Sequence, residues 1–217
     1  MAIGLRERRK QETRQAISDV ATELFSRQGF DEVTISQVAE AAGVAKMTVT
    51  NYFPRKEDLV FDRADAVVRH LADVITSRDA GESWLAAVRR DYAESVARAE
   101  VTLGLSTPRF AAMINSSPVL ASRGLEMLHQ REQALGDAMA AETGADAPRL
   151  RLIAAALASV HRVLYAEAAR RSLAGEPRAE ICDVLAAEAS RAFDLLEPSF
   201  GGYGVRQETA ALDGTVS

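Results

Sequence analysis

Apolar residues recur at intervals of three and four along most of the chain, a spacing that places them on one face of an α-helix. The first such face consists of Ile17, Val20, Ala21, Leu24 and Phe25. Ala, Leu, Arg and Glu are abundant, and runs of β-branched residues are short. The pattern therefore predicts an all-α fold, and its first helix is expected over about 12–28, since a glycine follows where a helix cap would stand.

Two short helices are predicted next. Thr34 and Gln37 have the spacing of a capping box, so a helix is expected to start directly after Thr34. Gly43 interrupts this segment, and a second short helix over about 46–53 ends before Pro54. Two short helices joined by a tight glycine turn and preceded by a longer helix are typical of a helix-turn-helix.

The chain divides into two predicted domains. Residues 1–56 form an N-terminal arm and a helix-turn-helix domain, and a fourth helix over 57–75 connects them to the rest of the chain as the only direct covalent link. The polar segment 76–83 marks the boundary, and a helical domain follows over 76–198. Its helices are expected at about 82–100, 108–115, 118–142, 149–174 and 178–196. Residues 199–217 contain few apolar side chains and are expected to be a disordered tail.

Charge is distributed unevenly along the 217 residues, which carry a net charge of −5. Residues 1–56 contain nine Lys or Arg and seven Asp or Glu, whereas residues 57–217 contain 17 and 24. The stretch 41–56 has no acidic residue at all. A basic N-terminal part on an acidic protein favours a polyanionic partner for that part.

The sequence also bears on the cellular compartment of the protein and on whether it is an enzyme. Cys182 is the single cysteine and cannot form an internal disulfide, and the first 15 residues lack the apolar core of a secretory signal. We therefore expect a cytoplasmic protein without a membrane span. No nucleotide-binding loop, nucleophile elbow or zinc-protease motif occurs, and the three histidines lie far apart. An enzyme is not expected, and neither a cofactor nor a metal is predicted.

The second short helix has two distinct faces. At 100° per residue, Ala45, Val49 and Phe53 cluster on one side. The opposite side carries small or polar residues without a carboxylate: Lys46 on the flank, and Met47, Thr48, Thr50 and Asn51. A helix in the major groove needs side chains that reach base edges and none that phosphates repel. The same face also fits an ordinary solvated helix, so the pattern alone leaves both interpretations open.

Residues 13–60, TRQAISDVATELFSRQGFDEVTISQVAEAAGVAKMTVTNYFPRKEDLV, resemble the DNA-binding domain of the TetR family of bacterial regulators. The resemblance rests on a first helix ending in F…GF, then T…VA…AGV, then T…YF…K…L. It implies base-edge contacts by Lys46, Met47, Thr48, Thr50 and Asn51. It also implies phosphate contacts by Thr34, Tyr52 and Lys56, with help from Arg14 and the N-terminal arm.

A homodimer is expected, because one short recognition helix reads few base pairs and two copies are needed for an inverted-repeat operator. Two apolar stripes on the C-terminal helices are the predicted dimer surface. They consist of Leu150, Ile153, Leu157, Val160 and Leu164, and of Ile181, Leu185, Ala189, Ala192 and Leu196. These stripes also fit an intramolecular core, and the resemblance favours the dimer.

The middle of the chain carries bulky residues that suit a small apolar ligand or a plain core. The predicted ligand contacts are Trp84, Tyr92, Phe110, Met113, Ile114, Met127, His161 and Tyr165. Residues 108–144 are similar to the effector domain of TetR-type regulators that sense acyl-CoA or lipid-like ligands, which implies an apolar or amphipathic, acyl-CoA-like effector.

The predicted function is that of a sequence-specific DNA-binding transcriptional regulator, a homodimeric repressor that an effector releases from its operator. Helix 4 is expected to carry the signal between the domains. The alternative is a dimeric DNA-binding protein without a small-molecule effector, controlled by a protein partner or constitutively active.

Overall fold

The computed structural model describes residues 4–145 and 147–207, and their regular structure is entirely helical. The α-helices are α1 Leu5–Gln28, α2 Ile35–Ala41, α3 Lys46–Tyr52, α4 Ala64–Ser77, α5 Trp84–Ala97, α6 Pro108–Ser116, α7 Pro118–Thr143, α8 Pro148–Leu173 and α9 Arg178–Phe200. Short 3₁₀ helices occur at Lys56–Leu59 and Val101–Leu103. The all-α prediction is confirmed.

The described residues form two compact units. The N-terminal unit contains the residues up to Ala66 together with Thr107–Met127, and the C-terminal unit contains Val67–Ser106 and the residues from Leu128 onward. Residues 107–127 thus lie in the N-terminal unit and not, as the sequence predicts, in the second domain. The chain passes between the units three times, so the expectation that helix 4 is the only covalent link is wrong.

The core of the N-terminal unit is apolar and contains aromatic pairs. Phe25 and Phe30 meet edge to face, with ring centroids 5.0 Å apart. Val49 of α3 and Phe53, which follows α3 directly, are fully buried in this core. Met113 of α6 and Leu120 of α7 complete it, which explains why residues 107–127 belong to this unit.

Two helices differ from their predicted bounds. The first helix begins at Leu5 rather than near residue 12, so the basic arm is helical. The predicted helix over 57–75 is interrupted, because its first part is the 3₁₀ helix Lys56–Leu59 and α4 begins only at Ala64. The Asp58 carboxylate accepts a hydrogen bond from the backbone N–H of Arg55 at 3.1 Å, and this side-chain cap favours a tight turn over a continuous α-helix.

The C-terminal unit has its core between α5, α8 and α9, which pack against one another. Both predicted dimer stripes point largely into this core. Every member of the α8 stripe is buried within one chain, and so are Ile181, Leu185 and Ala189 of the α9 stripe. Helix α8 is also the one described helix that is long and apolar enough to cross a membrane, and 44% of its most apolar window is buried in the protein.

The C-terminal segment differs from the expected disorder at 199–207. Helix α9 continues to Phe200, and the backbone that follows is held by hydrogen bonds. The N–H of Gly81 donates to the carbonyl of Arg206 at 2.8 Å, and the N–H of Trp84 donates to the carbonyl of Tyr203 at 3.2 Å. Gly204 has a φ of +60° and lies so close to the indole of Trp84 that a β-carbon has no room. The rest of the predicted tail, 208–217, lies outside the described residues.

Candidate nucleic-acid interface and ligand site

A capping box fixes the start of α2. The Thr34 hydroxyl accepts a hydrogen bond from the N–H of Gln37 at 3.3 Å, and the Gln37 side-chain oxygen accepts one from the N–H of Thr34 at 2.7 Å. This confirms the sequence prediction, because both donors of the first turn find the partners that the spacing implied. Thr34 remains exposed at the N-terminal end of α2.

The turn between α2 and α3 depends on Gly43. Its φ of +64° lies in the left-handed region that a residue with a β-carbon adopts at a cost. The Val44 N–H donates to the Ala39 carbonyl at 3.0 Å, which closes the turn. Val49 and Phe53 then seat α3 in the core. Ala45, which was expected on the same inner side, is exposed because it stands at the helix cap rather than within α3.

The outer side of α3 brings the five predicted base-reading residues together. Lys46, Met47 and Asn51 are exposed, and Met47 leaves 69% of its surface to solvent. Thr48 and Thr50 are partly exposed, and the Thr50 hydroxyl donates to the Met47 carbonyl at 3.1 Å. The hydroxyl oxygen of Thr50 therefore keeps its accepting capacity on a surface without carboxylates.

Arg14 is turned toward its own unit. Its guanidinium donates to the carbonyl of Tyr52 at 2.7 Å and to the carbonyl of Asp62 at 3.1 Å. The same group lies 4.4 Å from the centre of the Phe53 ring. These contacts tie α1 to the end of α3, so Arg14 holds the recognition helix in place.

Lys56 is engaged in a similar way. Its ammonium donates to the carbonyl of Asp31 at 3.2 Å and lies 4.4 Å from the centre of the Phe30 ring. Burial lowers the pKa of Lys56, although the nearby carboxylates of Asp31, Glu32 and Glu57 oppose this effect. The chain thus uses two of the predicted phosphate-binding cations, Arg14 and Lys56, for internal contacts.

Other cations are free to meet a polyanion. An open groove of about 610 Å³ runs along the start of α1 and is lined by Arg6, Glu7, Arg9, Lys10, Thr13 and Tyr52. Arg6, Arg9 and Lys10 are exposed, and no carboxylate of a described residue forms an ion pair with them. The sequence signal for this groove was the basic run of the arm, which one helix now places beside the predicted phosphate contact Tyr52.

The eight predicted ligand contacts are divided between the two units. Phe110, Met113 and Ile114 pack on the core of the N-terminal unit, and Met127 is the last residue of that unit. The other four lie in the C-terminal unit. Among these, Trp84 is buried with its indole N–H 3.2 Å from the Glu142 carboxylate, which identifies it as a core residue with a satisfied donor.

Tyr92 and His161 form the centre of a buried polar cluster in the C-terminal unit. Their rings meet edge to face with centroids 4.9 Å apart. The Tyr92 hydroxyl and His161 Nε2 are buried and have no hydrogen-bond partner among the described residues. Burial raises the pKa of Tyr92 and lowers the pKa of His161 well below its usual range, with the neighbouring charge of Arg131 adding to the latter. Both side chains are therefore neutral near pH 7.

Sequence reasoning missed three polar residues of this cluster. Arg131 of α7 is buried and donates through Nε to the carbonyl of Val67 at 3.0 Å. His70 of α4 and Asp91 of α5 form a pair, with Nε2 and Oδ2 2.7 Å apart. Tyr165 of α8, a predicted ligand contact, belongs to the same cluster, because it interacts electrostatically with Arg131, and burial raises its pKa. No spacing in the sequence indicates this arrangement, because four different helices contribute to it.

Comparison with known proteins supports the N-terminal assignment. Residues 17–62 match the family model for bacterial regulatory proteins of the tetR family. The HTH-type transcriptional regulator TcmR of Streptomyces glaucescens is 28% identical over 172 residues, which cover 76% of each chain. The chain belongs to the TetR family. It is a DNA-binding transcriptional regulator, and its TetR-family relatives are regulators rather than enzymes.

Solved structures show the TetR fold beyond the matched residues. NalD, the secondary repressor of the MexAB-OprM multidrug efflux pump in Pseudomonas aeruginosa, superposes with a TM-score of 0.52 at 18% identity and covers 85% of this chain and 97% of its own. SmeT, solved as a triclosan complex, superposes with a TM-score of 0.55 at 15% identity and covers 95% of this chain and all of its own, 100%. At these identities the likeness concerns the fold alone.

Proposed function

We propose that this TetR-family regulator is a cytoplasmic, homodimeric repressor that binds an inverted-repeat operator and is released from it by a small effector. The observation that carries the proposal is the outer side of α3, which is exposed and belongs to a 16-residue stretch without acidic residues. An α-helix with such a surface fits the major groove, where phosphates repel carboxylates and base edges offer donors and acceptors.

Base recognition is assigned to α3. Lys46 suits the two acceptors of guanine, and Asn51 suits the donor and acceptor of adenine. Met47, Thr48 and Thr50 supply an apolar contact and two hydroxyls beside them. Each good base contact contributes about 1 to 3 kcal/mol of discrimination against the wrong base.

Phosphate contact is assigned chiefly to Arg6, Arg9, Lys10 and Tyr52, which line one open groove. Thr34 is exposed at the start of α2, with its hydroxyl held in the capping box, and is assigned a further phosphate contact. Arg14 and Lys56 support this surface from within, because their cationic groups already bind backbone carbonyls and aromatic rings.

The dimer surface is proposed to lie on the outward sides of α8 and α9. The apolar stripes first expected there are largely buried within one chain, so a second copy would meet mainly other residues. Leu152 and Val163 of α8 and Leu195 of α9 are large apolar side chains that stay exposed in the monomer. A symmetric interface between two copies would cover them, and an inverted repeat requires two recognition helices spaced by about 34 Å, one turn of DNA.

Release by an effector rests on the family and on the fold. SmeT, which shares the fold, was solved as a complex with triclosan. In this chain the polar cluster around Tyr92 and His161 is buried in an apolar core, which fits a small ligand better than it fits a protein partner.

Selection of binding sequences from a random duplex pool, repeated at two salt concentrations, tests the proposal. We expect an enriched inverted repeat whose binding weakens as salt rises. Asn51→Ala should relax the preference at one position per half-site, whereas Arg9→Ala should weaken binding to all sequences and reduce the salt slope by about 1 per monomer. Arg109→Ala removes an exposed arginine of α6, outside the proposed DNA and dimer surfaces, and is the matched control. If no sequence is enriched, the assignment of α3 to base recognition fails.

A further inference from the structure

Arg131 is a buried cation without an acidic partner. It leaves only 5% of its surface exposed, and its one hydrogen bond to a described residue goes to a backbone carbonyl, that of Val67. No carboxylate oxygen of the described residues lies within 4.0 Å of its guanidinium. A buried charge without a partner is strongly unfavourable, so proteins retain one where something else binds it.

Two neighbouring polar atoms are also unpartnered. The Tyr92 hydroxyl and His161 Nε2 are completely buried and form no hydrogen bond within the described chain, and their rings are in contact. Most buried polar side-chain atoms in native proteins find a partner. The Tyr92 hydroxyl and His161 Nε2 lie in one interior with Arg131, whose charge acts on His161, and one shared ligand accounts for them more readily than separate defects do.

The charges around these groups define what they can bind. Asp91 is the acid whose charge reaches Arg131, and its carboxylate already pairs with His70 at 2.7 Å. The nearby Tyr165 phenol is neutral, because burial raises its pKa. The free donors are thus a guanidinium, a phenol O–H and one tautomer of a neutral imidazole. This set complements an anion with several acceptor oxygens, such as a carboxylate, sulfonate or phenolate.

We propose that Arg131, Tyr92 and His161 form the polar end of the effector site and bind the anionic group of an amphipathic organic acid. The inference deepens the proposed function and rests on it. The surrounding core residues, including Leu157, Leu164 and Phe193, are apolar and would contact the body of the ligand. An effector with an acidic head and an aromatic or aliphatic body fits both parts.

The same arginine offers a route to α4. Arg131 binds the carbonyl of Val67, and His70 of α4 holds Asp91 of the same cluster. Helix α4 begins at Ala64, in the N-terminal unit, and continues through these two residues. An anion that draws the guanidinium toward itself weakens its bond to Val67 and changes how α4 is held. Arg131 therefore links recognition of the anion to the helix that leads to the DNA-binding unit.

Two fluorescent probes that differ in charge test the inference on the full-length protein. Anilinonaphthalene sulfonate is an anionic dye, and N-phenylnaphthylamine carries the same rings without the sulfonate. We expect the sulfonate to bind at least about tenfold more tightly, the order expected for hydrogen bonds to a charged group. Arg131→Gln should abolish this preference and leave binding of the neutral dye unchanged. Arg178→Gln, an exposed arginine of α9, should retain it.

Tyr92→Phe keeps the test decisive if Arg131→Gln folds poorly. It removes only an unpartnered hydroxyl, so a merely structural role predicts an unchanged protein. We expect it to weaken binding of the sulfonate about tenfold while affinity for the neutral dye stays constant. Equal affinity for both dyes, binding of neither dye, or full sulfonate affinity in Tyr92→Phe would overturn the inference, the last by showing that the hydroxyl does not bind the anion.

Operator binding, measured on the same samples, separates this inference from the proposed function. Protein that binds its inverted repeat but shows no preference for the anionic dye would contradict the inference alone. Protein that binds no inverted repeat would contradict the proposed function. Release of the operator by the sulfonate from wild-type protein, and not from Arg131→Gln, supports the link through α4.

Discussion

Arg78 and Arg131 are both buried arginines of the C-terminal unit, yet their surroundings differ in the number of partners. Arg78 donates to the backbone carbonyls of Ile75, Glu82 and Gly204 and to both oxygens of the Glu142 carboxylate. Arg131 donates to one carbonyl among the described residues. The two sites show that burial alone does not reveal why a charge is kept in a core, whereas the count of satisfied donors does.

Arg78 has a structural role. Its partners come from α4, from the turn before α5, from α7 and from the segment after α9, so one side chain joins four parts of the chain. Arg206 adds to it by donating to the carbonyl of Arg78. The Arg131 region instead retains donors that its neighbours leave unused, which is a costly arrangement unless another molecule binds there.

The largest expected effect is that of Arg78→Met. Removing the guanidinium breaks its ion pair with Glu142 and its hydrogen bonds to three carbonyl groups, so we expect the free energy of unfolding to fall by about 3 to 5 kcal/mol. Urea denaturation followed by circular dichroism measures the change. Arg90→Met, which removes an exposed ion pair with Glu82, is the matched control and should cost less than about 1 kcal/mol. A loss for Arg78→Met as small as that of the control would remove the distinction between the two regions.

Acidification should destabilise the protein through His161. Burial, with Arg131 and His70 nearby, lowers the pKa of His161 in the folded state, so the unfolded chain takes up the proton first. The free energy of unfolding should therefore fall below about pH 6.5, by up to about 1.4 kcal/mol per pH unit, and be unaffected by this group at higher pH. His161→Gln should remove this contribution. The check is the difference between wild type and variant in urea titrations at pH 7 and pH 5, and identical curves would contradict it.

Arg131→Met should have the opposite sign from Arg78→Met. It exchanges an unpaired buried charge for an apolar side chain of similar length, and Asp91 keeps its partner His70. We expect the free energy of unfolding to stay constant or to rise by about 1 kcal/mol. The measurement is the same urea denaturation at pH 7. A loss of several kcal/mol would show that Arg131 is as structural as Arg78.

Tyr92→Phe should give the smallest change. The hydroxyl has no partner in the folded protein but is hydrated in the unfolded chain, so its removal should stabilise the fold by up to about 1 kcal/mol. A thermal melt with and without the anionic dye measures both stability and binding. A clear loss of stability without ligand would mean that the hydroxyl has a structural partner, such as an ordered water molecule.

Local sequence patterns were sufficient to predict much of the secondary structure of the N-terminal unit. The capping box of Thr34 and Gln37 and the turn at Gly43 depend on residues a few positions apart, and the structure confirms the two short helices. The contacts of Arg14 cannot be predicted from local patterns. Its acceptors are backbone carbonyls 38 and 48 positions away, and a carbonyl group has no sequence signature. A basic residue that faces inward therefore has the same pattern as one that faces DNA.

The C-terminal unit was harder to predict for a related reason. An apolar stripe at helical spacing indicates that a helix buries one face, but it does not indicate whether the covering surface belongs to the same chain. The α8 stripe from Leu150 to Leu164 is covered intramolecularly. The polar cluster forms only where residues from four helices meet. In the sequence, Arg131 has the pattern of a solvated arginine on an amphipathic helix, and its burial beside α4 is evident only from the structure.

The two-segment composition of the N-terminal unit bears on how regulators of this kind can be recombined. Exchanging operator specificity between relatives by splicing genes at a single point after α3 would leave behind Met113 and Leu120, whose side chains fill the core beneath the recognition helix. A chimaera that receives only the first segment therefore has mismatched packing beneath its recognition helix. Functional hybrids of this protein need both stretches, up to Ala66 and from Thr107 to Met127, from the same parent.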